Sequence, residues 1–228
     1  MTTLDKESRR RTYADPCGIA RALDRVGERW ALLVVRELTL GPKRFTDLRA
    51  GLPQIGPDIL SARLRELEGA GVVRRRTLAP PAAARVYELT DWGQELEDVL
   101  LALGRWGSRA PLPPGENGLS VDALVIALRT LFDPAAAEGL EASYELRLDE
   151  QRFRVAVTDG RLQVDRGTVT EPDATITADP RSLPALLWHG RSLRQARRDG
   201  DVEIAGDTRA VARLLRLFPA PAPHADAA

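Results

Sequence analysis

The side chains best suited to reading another molecule are concentrated between Arg44 and Leu89. From Pro57 onward, Leu60, Leu64, Leu67 and Gly71 share one face at helical spacing, while Asp58, Ser61, Ala62, Arg65 and Glu66 point away. Short polar side chains on the outer face of a helix suit hydrogen bonding to base edges in a major groove. Arg63 sits at the shoulder of that face, a position for a phosphate. Arg74, Arg75, Arg76 and Arg85 lie in two strand-like runs, and guanidinium groups there would meet phosphates and set register without reading sequence. Arg44, Thr46 and Gln54 flank the preceding turn and complete the candidate contact set.

Other chemistries have less to work with. The histidines are His189, beside an apolar run, and His224, in the tail. No His, Cys and carboxylate cluster has metal-ligand spacing, and no phosphate loop or Gly-x-Ser-x-Gly elbow occurs, so no enzyme, metal or cofactor is expected. Cys17 is the single thiol, which excludes an internal disulfide. At a helix start its pKa can fall and it can sense oxidants. The competing and preferred reading is a small buried residue packing that helix start.

The elements that must hold these groups follow from periodicity. Ile19, Leu23, Val26, Trp30, Val34 and Leu38 keep a helical spacing that Gly27 interrupts, so two consecutive helices are expected. A short helix from Arg44, a Pro/Gly turn at 53–56, and a second helix starting at Pro57 make a helix-turn-helix. Strands at 72–77 and 85–89, around a Pro/Ala loop, form a wing. Thr90 can cap a further helix whose stripe of Trp92, Leu96, Val99, Leu100, Leu103 and Trp106 reads as a subunit interface aided by Leu23, or as intramolecular core.

The Pro/Gly-rich segment 108–118 is the expected domain boundary, between a DNA-binding and dimerisation domain at 16–107 and a second domain at 119–218. Residues 219–228 read as a disordered tail. In the second domain a helix at 121–132 precedes strands at 143–148, 152–158, 161–166 and 173–178. Helices at 180–188 and 193–198, a fifth strand at 201–205 and a last helix at 208–218 follow. Asp159-Gly160 is a tight-hairpin signal. Leu124, Leu128, Phe132, Phe153, Val155, Ile176, Leu183, Leu187, Trp188 and Leu217 can line a ligand tunnel or fill a solid core.

The 228 residues fit one or two domains, and the net charge is zero. Of the 33 basic and 33 acidic residues, 19 and 15 fall in 1–110, so the first half is basic and the second acidic. This division suits one half that faces nucleic acid. No uncharged run approaches the roughly 18 residues of a membrane helix, and the polar N-terminus lacks a signal-peptide core. A cytoplasmic protein without membrane contact is expected. Lysine occurs only at Lys6 and Lys43 beside abundant Arg and Ala, as in a GC-rich genome.

The first half resembles the HxlR family of bacterial winged-helix regulators, relatives of the MarR type. The resemblance is carried by Cys17-Gly18-Ile19-Ala20-Arg21-Ala22-Leu23, Gly27-Glu28-Arg29-Trp30, Arg36-Glu37-Leu38, Arg44-Phe45 with Asp47-Leu48, Leu60-Ser61 with Arg63-Leu64, and Tyr87-Glu88-Leu89-Thr90 with Gly93. Gly18 stands where the family usually has Pro. The resemblance implies a homodimer on a pseudo-palindromic operator, with half-sites about 34–36 Å apart if one helical turn separates them. Some members of that family sense oxidants or electrophiles at the position of Cys17. The second half resembles an SCP2-like (sterol carrier protein 2) domain in element order and in Asp173-Ala174-Thr175-Ile176-Thr177-Ala178-Asp179 and Gly200-Asp201-Val202-Glu203-Ile204-Ala205-Gly206-Asp207. That resemblance implies a five-stranded sheet covered by helices, able to enclose lipophilic molecules. The fold class expected is α+β throughout. The expected function is DNA binding gated by a lipophilic effector in the second domain. Alternatives are a redox switch at Cys17 and a lipid carrier with incidental DNA affinity.

Overall fold

Two compact units, residues 1–94 and 95–228, make up the computed structural model, which describes residues 12–81, 83–111 and 118–224. In the first unit, α1 (Gly18–Val26) ends at Gly27, where a Cβ would lie 2.5 Å from the Leu23 carbonyl oxygen. Helix α2 (Ala31–Leu38) follows, then α3 (Phe45–Gly51), α4 (Pro57–Gly69), strands β1 (Val73–Thr77) and β2 (Arg85–Leu89), and the short α5 (Asp91–Gln94). Pro57 opens α4 at its first turn, where its missing N–H leaves no hydrogen bond unmade. The apolar stripe Leu60, Leu64 and Leu67 is buried along with Val34, Val35, Leu38 and Leu48 of α2 and α3.

Strands β1 and β2 pair antiparallel, Arg75 opposite Tyr87, across the Pro/Ala loop. Lys43 and Tyr87 exchange backbone hydrogen bonds of 2.9 and 2.8 Å, adding a one-residue third strand ahead of α3. The Thr90 hydroxyl donates to the Gly71 carbonyl (2.7 Å) and accepts from the Gly93 N–H (3.0 Å). A Cβ on Gly93 would lie 2.1 Å from the Val72 carbonyl oxygen, so glycine is required where α5 crosses the wing root.

The second unit holds α6 (Leu96–Gly107), α7 (Val121–Leu131), β3 (Ala142–Leu148), β4 (Gln151–Thr158), β5 (Arg161–Arg166), β6 (Ala174–Ala178), α8 (Leu183–Trp188), α9 (Leu193–Arg198), β7 (Val202–Gly206) and α10 (Thr208–Arg216). The sheet order is β5-β4-β3-β6-β7, antiparallel except for the central β3–β6 pair. Period-two alternation turns Tyr144, Leu146, Phe153, Val155, Val164 and Ile176 to one buried face. Asp159-Gly160, with φ of 50° and 68°, makes the two-residue turn between β4 and β5. The Tyr144 hydroxyl donates to the Ala210 carbonyl at 3.1 Å and ties the sheet to α10. Burial pushes the Tyr144 phenol above its ordinary pKa.

One helix differs from that expected: the single helix from Thr90 is broken at Glu95 into α5 and α6. Helix α6 belongs to the second compact unit, where Gly104 lets it approach α7; a Cβ there would lie 2.9 Å from the Thr130 methyl. Residues 112–117 of the expected linker lie outside the described residues. So do the last four residues of the expected tail, while 219–224 carry no regular structure.

Candidate nucleic-acid interface

Burial of one face of α4 decides which of its side chains remain for contact. With Leu60, Leu64 and Leu67 turned inward, Asp58, Arg65 and Glu66 are exposed and Ser61 and Ala62 are half-buried. Arg65 curls back so that its Nε donates to the Ser61 carbonyl at 3.3 Å. Arg44, Thr46 and Gln54 are exposed at the start of α3 and in the turn, where Asp47 accepts from the Arg44 backbone N–H at 3.0 Å. Arg63 departs from expectation. Its side chain is turned in and held by Glu66 at 2.5 Å and by Glu28 at 3.5 Å, so its charge serves the α4 shoulder and not an open surface.

The wing also departs from a single basic rim. Strand alternation places Arg74 and Arg76 on one face and Arg75 on the other, so all three cannot face one duplex. Glu88, opposite Arg74, accepts from Arg74 at 2.7 Å and pairs with Arg76 at 2.9 Å. That carboxylate holds Arg74 above its ordinary pKa, through a hydrogen bond and its charge. Arg75 pairs with Glu68 at 2.8 Å and lies over the Tyr87 ring, 5.3 Å from its centroid. Arg85, opposite Thr77, is exposed on the Arg75 face.

Glu37, named in the sequence only within the Arg36-Glu37-Leu38 resemblance, has a role that the sequence reading did not assign. Its carboxylate is fully buried and accepts from Arg36 at 2.8 Å and from Lys43 at 2.7 Å. A Cβ on Gly51 would lie 2.2 Å from it. This one group thus ties α2 to the Lys43 strand and to the end of α3, setting where the turn presents α4. A charge inside an apolar helical run was the available signal.

Cys17 was expected to be buried, and it is exposed. It stands at the N-terminal end of α1 with its N–H donating to Asp15 at 2.8 Å. The reason is that α1 buries only Ala20 and Val26 and leaves Ile19 and Leu23 open.

In the second unit the expected tunnel side chains are closed. Leu124 and Phe153 offer no surface even to a water molecule, and Leu128, Val155, Ile176, Leu183 and Leu217 are buried. These seven fill a solid core between sheet and helices and cannot line a space for a guest. Leu187 and Trp188 are half-buried. Phe132 alone of the ten borders a described cavity of 430 Å³, walled by α6 (Glu97, Leu101), α7 and its end (Arg129, Phe132) and β5 (Leu162, Gln163, Val164, Asp165). On α6 the expected interface stripe is split. Leu100 is buried, whereas Val99, Leu103 and Trp106 are 51%, 45% and 74% exposed. Among the described residues no His, Cys and carboxylate group could hold a metal, and no helix is long and apolar enough to cross a membrane.

Residues 25–112 match the family described as HxlR-like helix-turn-helix. The HTH-type transcriptional regulator YvaP of Bacillus subtilis is 36% identical over 88 residues, which are 39% of this chain and 82% of YvaP. The chain belongs to the HxlR-like helix-turn-helix family. It is a DNA-binding transcriptional regulator of that type, with a winged helix in its first unit. Quinone-bound YodB from Bacillus subtilis, also similar, is 31% identical with a TM-score of 0.35, over 39% of this chain and 93% of YodB. Beyond the HxlR-like part, residues 117–224 match the alkyl sulfatase C-terminal family, a different description from the SCP2-like one expected. A double mutant of the sec-alkyl sulfatase PisA1 is 19% identical with a TM-score of 0.41, over 45% of this chain and 17% of PisA1.

Proposed function

We propose that the protein is a cytoplasmic homodimeric regulator, not an enzyme, that binds a pseudo-palindromic operator and releases or engages it when a lipophilic molecule occupies its C-terminal half. The observation that carries the DNA-reading part is α4 itself. Its apolar stripe is locked inward, and Asp58, Ser61, Ala62 and Arg65 are among the groups left accessible at the start of the helix, beside exposed Ile59, where base edges are reached. Dimerisation is supported by the exposed apolar residues of α6, Val99, Leu103 and Trp106, and by Ile19 and Leu23 of α1. The order of helix, sheet and helices supports an SCP2-like reading of the C-terminal half, with the ligand in the cavity bordered by Phe132 and not in the core. An effector acts only through different affinities for the DNA-competent and DNA-incompetent states. The test is operator selection from random duplexes followed by binding titrations. A palindromic consensus bound by two chains supports the reading, and binding indifferent to sequence refutes it.

A second reading has its own observation. Exposed Cys17 at the start of α1 supports a redox- or electrophile-responsive switch, in which oxidation or an adduct alters the α1 surface. One thiol per chain restricts it to an intersubunit disulfide, a mixed disulfide or an adduct. Loss of diamide sensitivity in Cys17→Ser, with ligand response kept, separates the two readings.

A further inference from the structure

We propose that the cleft between α6, α7 and β5 binds an amphiphilic organic cation, a bulky aromatic or aliphatic ammonium-type molecule. The proposal rests on the reading of the C-terminal half as the effector domain and names its site and ligand class. The 430 Å³ volume lies in the range of small-molecule sites. Its apolar surfaces come from Leu101, Phe132 and Leu162. The Phe132 ring is backed by Phe218, with centroids 6.2 Å apart, which leaves a supported aromatic wall for a cation.

Charge selects the ligand class. Arg129 spans the cleft with its guanidinium already engaged: it donates to the Glu97 carboxylate and to the Val164 carbonyl, and stands 3.5 Å from Asp165. Among the side chains that line the cleft, two carboxylates stand against one guanidinium, one negative charge in excess. The Asp165 side chain is 58% exposed and keeps an oxygen open to a guest. An anion would meet this excess as repulsion. A neutral lipophile would strip water from the carboxylates and return nothing. A cation with apolar substituents satisfies both the walls and the charge.

The cleft is also placed to signal. Glu97, Leu101 and Gly104 recur at helical spacing on the face of α6 toward α7, while Val99, Leu103 and Trp106 lie on another, exposed face. A cation that competes with Arg129 for Glu97 loosens the pairing of α6 with α7, and α6 carries the exposed stripe assigned to the dimer. Coupling thus runs through one rigid element with two faces.

The experiment uses the full-length protein and two probes of one shape and opposite charge, tetraphenylphosphonium and tetraphenylborate, in calorimetric titrations. Tetraphenylphosphonium should bind once per chain, and tetraphenylborate at least about tenfold more weakly. Asp165→Asn, a change at an exposed edge-strand position, should weaken the cation by roughly two- to fivefold without altering the melting curve. The Glu97→Gln, Asp165→Asn double variant leaves Arg129 as the remaining charge and should reverse the preference. No cation binding, or equal binding of both ions unchanged in the variants, overturns the site. Operator affinity is then measured with saturating tetraphenylphosphonium. Binding at the cleft with unaltered operator affinity leaves the site standing and overturns effector gating.

Discussion

Freeing the wing from Glu88 tests which of its faces meets DNA. Arg74 and Arg76 share a face and share Glu88, at 2.7 and 2.9 Å, with side chains 56% and 51% exposed. Arg75 points to the other face with Tyr87 and Glu68. Glu88 is buried but the two arginine side chains are exposed, so phosphates can share both arginines with it. Each arginine that meets a phosphate adds about 0.9 to the slope of log affinity against log salt. The Arg74→Ala, Arg76→Ala double variant should therefore flatten the slope by about 1.8. Between about 50 and 200 mM salt, the affinity lost by this variant should be roughly tenfold smaller than that lost by the parent. Arg75→Ala should leave the slope alone. Glu88→Gln, which releases both arginines, should tighten operator and random DNA alike. Fluorescence anisotropy with labelled duplexes across salt concentrations reads all four proteins. An effect of Arg75→Ala equal to that of the double variant, or no slope change in either, refutes the assignment of the Arg74 face.

Specificity should reside on α4: Arg65→Ala or Ser61→Ala is expected to change base preference at one half-site position by roughly 1–3 kcal/mol, seen by competition with single-base operator variants. Asp at both Val99 and Leu103 should give a folded monomer with weakened operator binding, and a dimer by sedimentation would place the interface elsewhere. Gly93→Ala pushes a methyl into the Val72 carbonyl and should cost about 2–3 kcal/mol or more, visible as a lowered urea midpoint. In the second unit Arg147 and the Val169 N–H hold Glu145 below its ordinary pKa, so its stabilisation is present above that ordinary value and lost as pH falls through the lowered one. The melting temperature should drop below about pH 4, and Glu145→Gln should remove part of that dependence while lowering stability at pH 7.

Local pattern determined most of the elements. The 3.6-residue spacing of Leu60, Leu64 and Leu67, with Pro57 ahead of them, placed the second helix of the helix-turn-helix, because a helix must bury its apolar stripe whatever it packs against. Period-two runs and Asp159-Gly160 placed all five strands of the second half, because alternation and turn chemistry are properties of neighbouring residues. Which polar groups stay available was decided only by partners distant in the chain. Arg63 and Arg65 look alike in sequence, yet Glu28 and Glu66 take the first and leave the second outward. Glu88 and Glu68 hold the wing arginines, and Glu37 is a buried tie that periodicity reads as one more helical residue. Val99 and Leu100 are adjacent apolar residues, and packing buries one and exposes the other. Apolar composition admitted a tunnel, but close packing closes it at Leu124 and Phe153, and the cavity opens instead where α6, α7 and an edge strand meet around Arg129. A residue's type and spacing set what it must bury. The identity of its distant neighbours sets whether its charge, its thiol or its ring remains free to act.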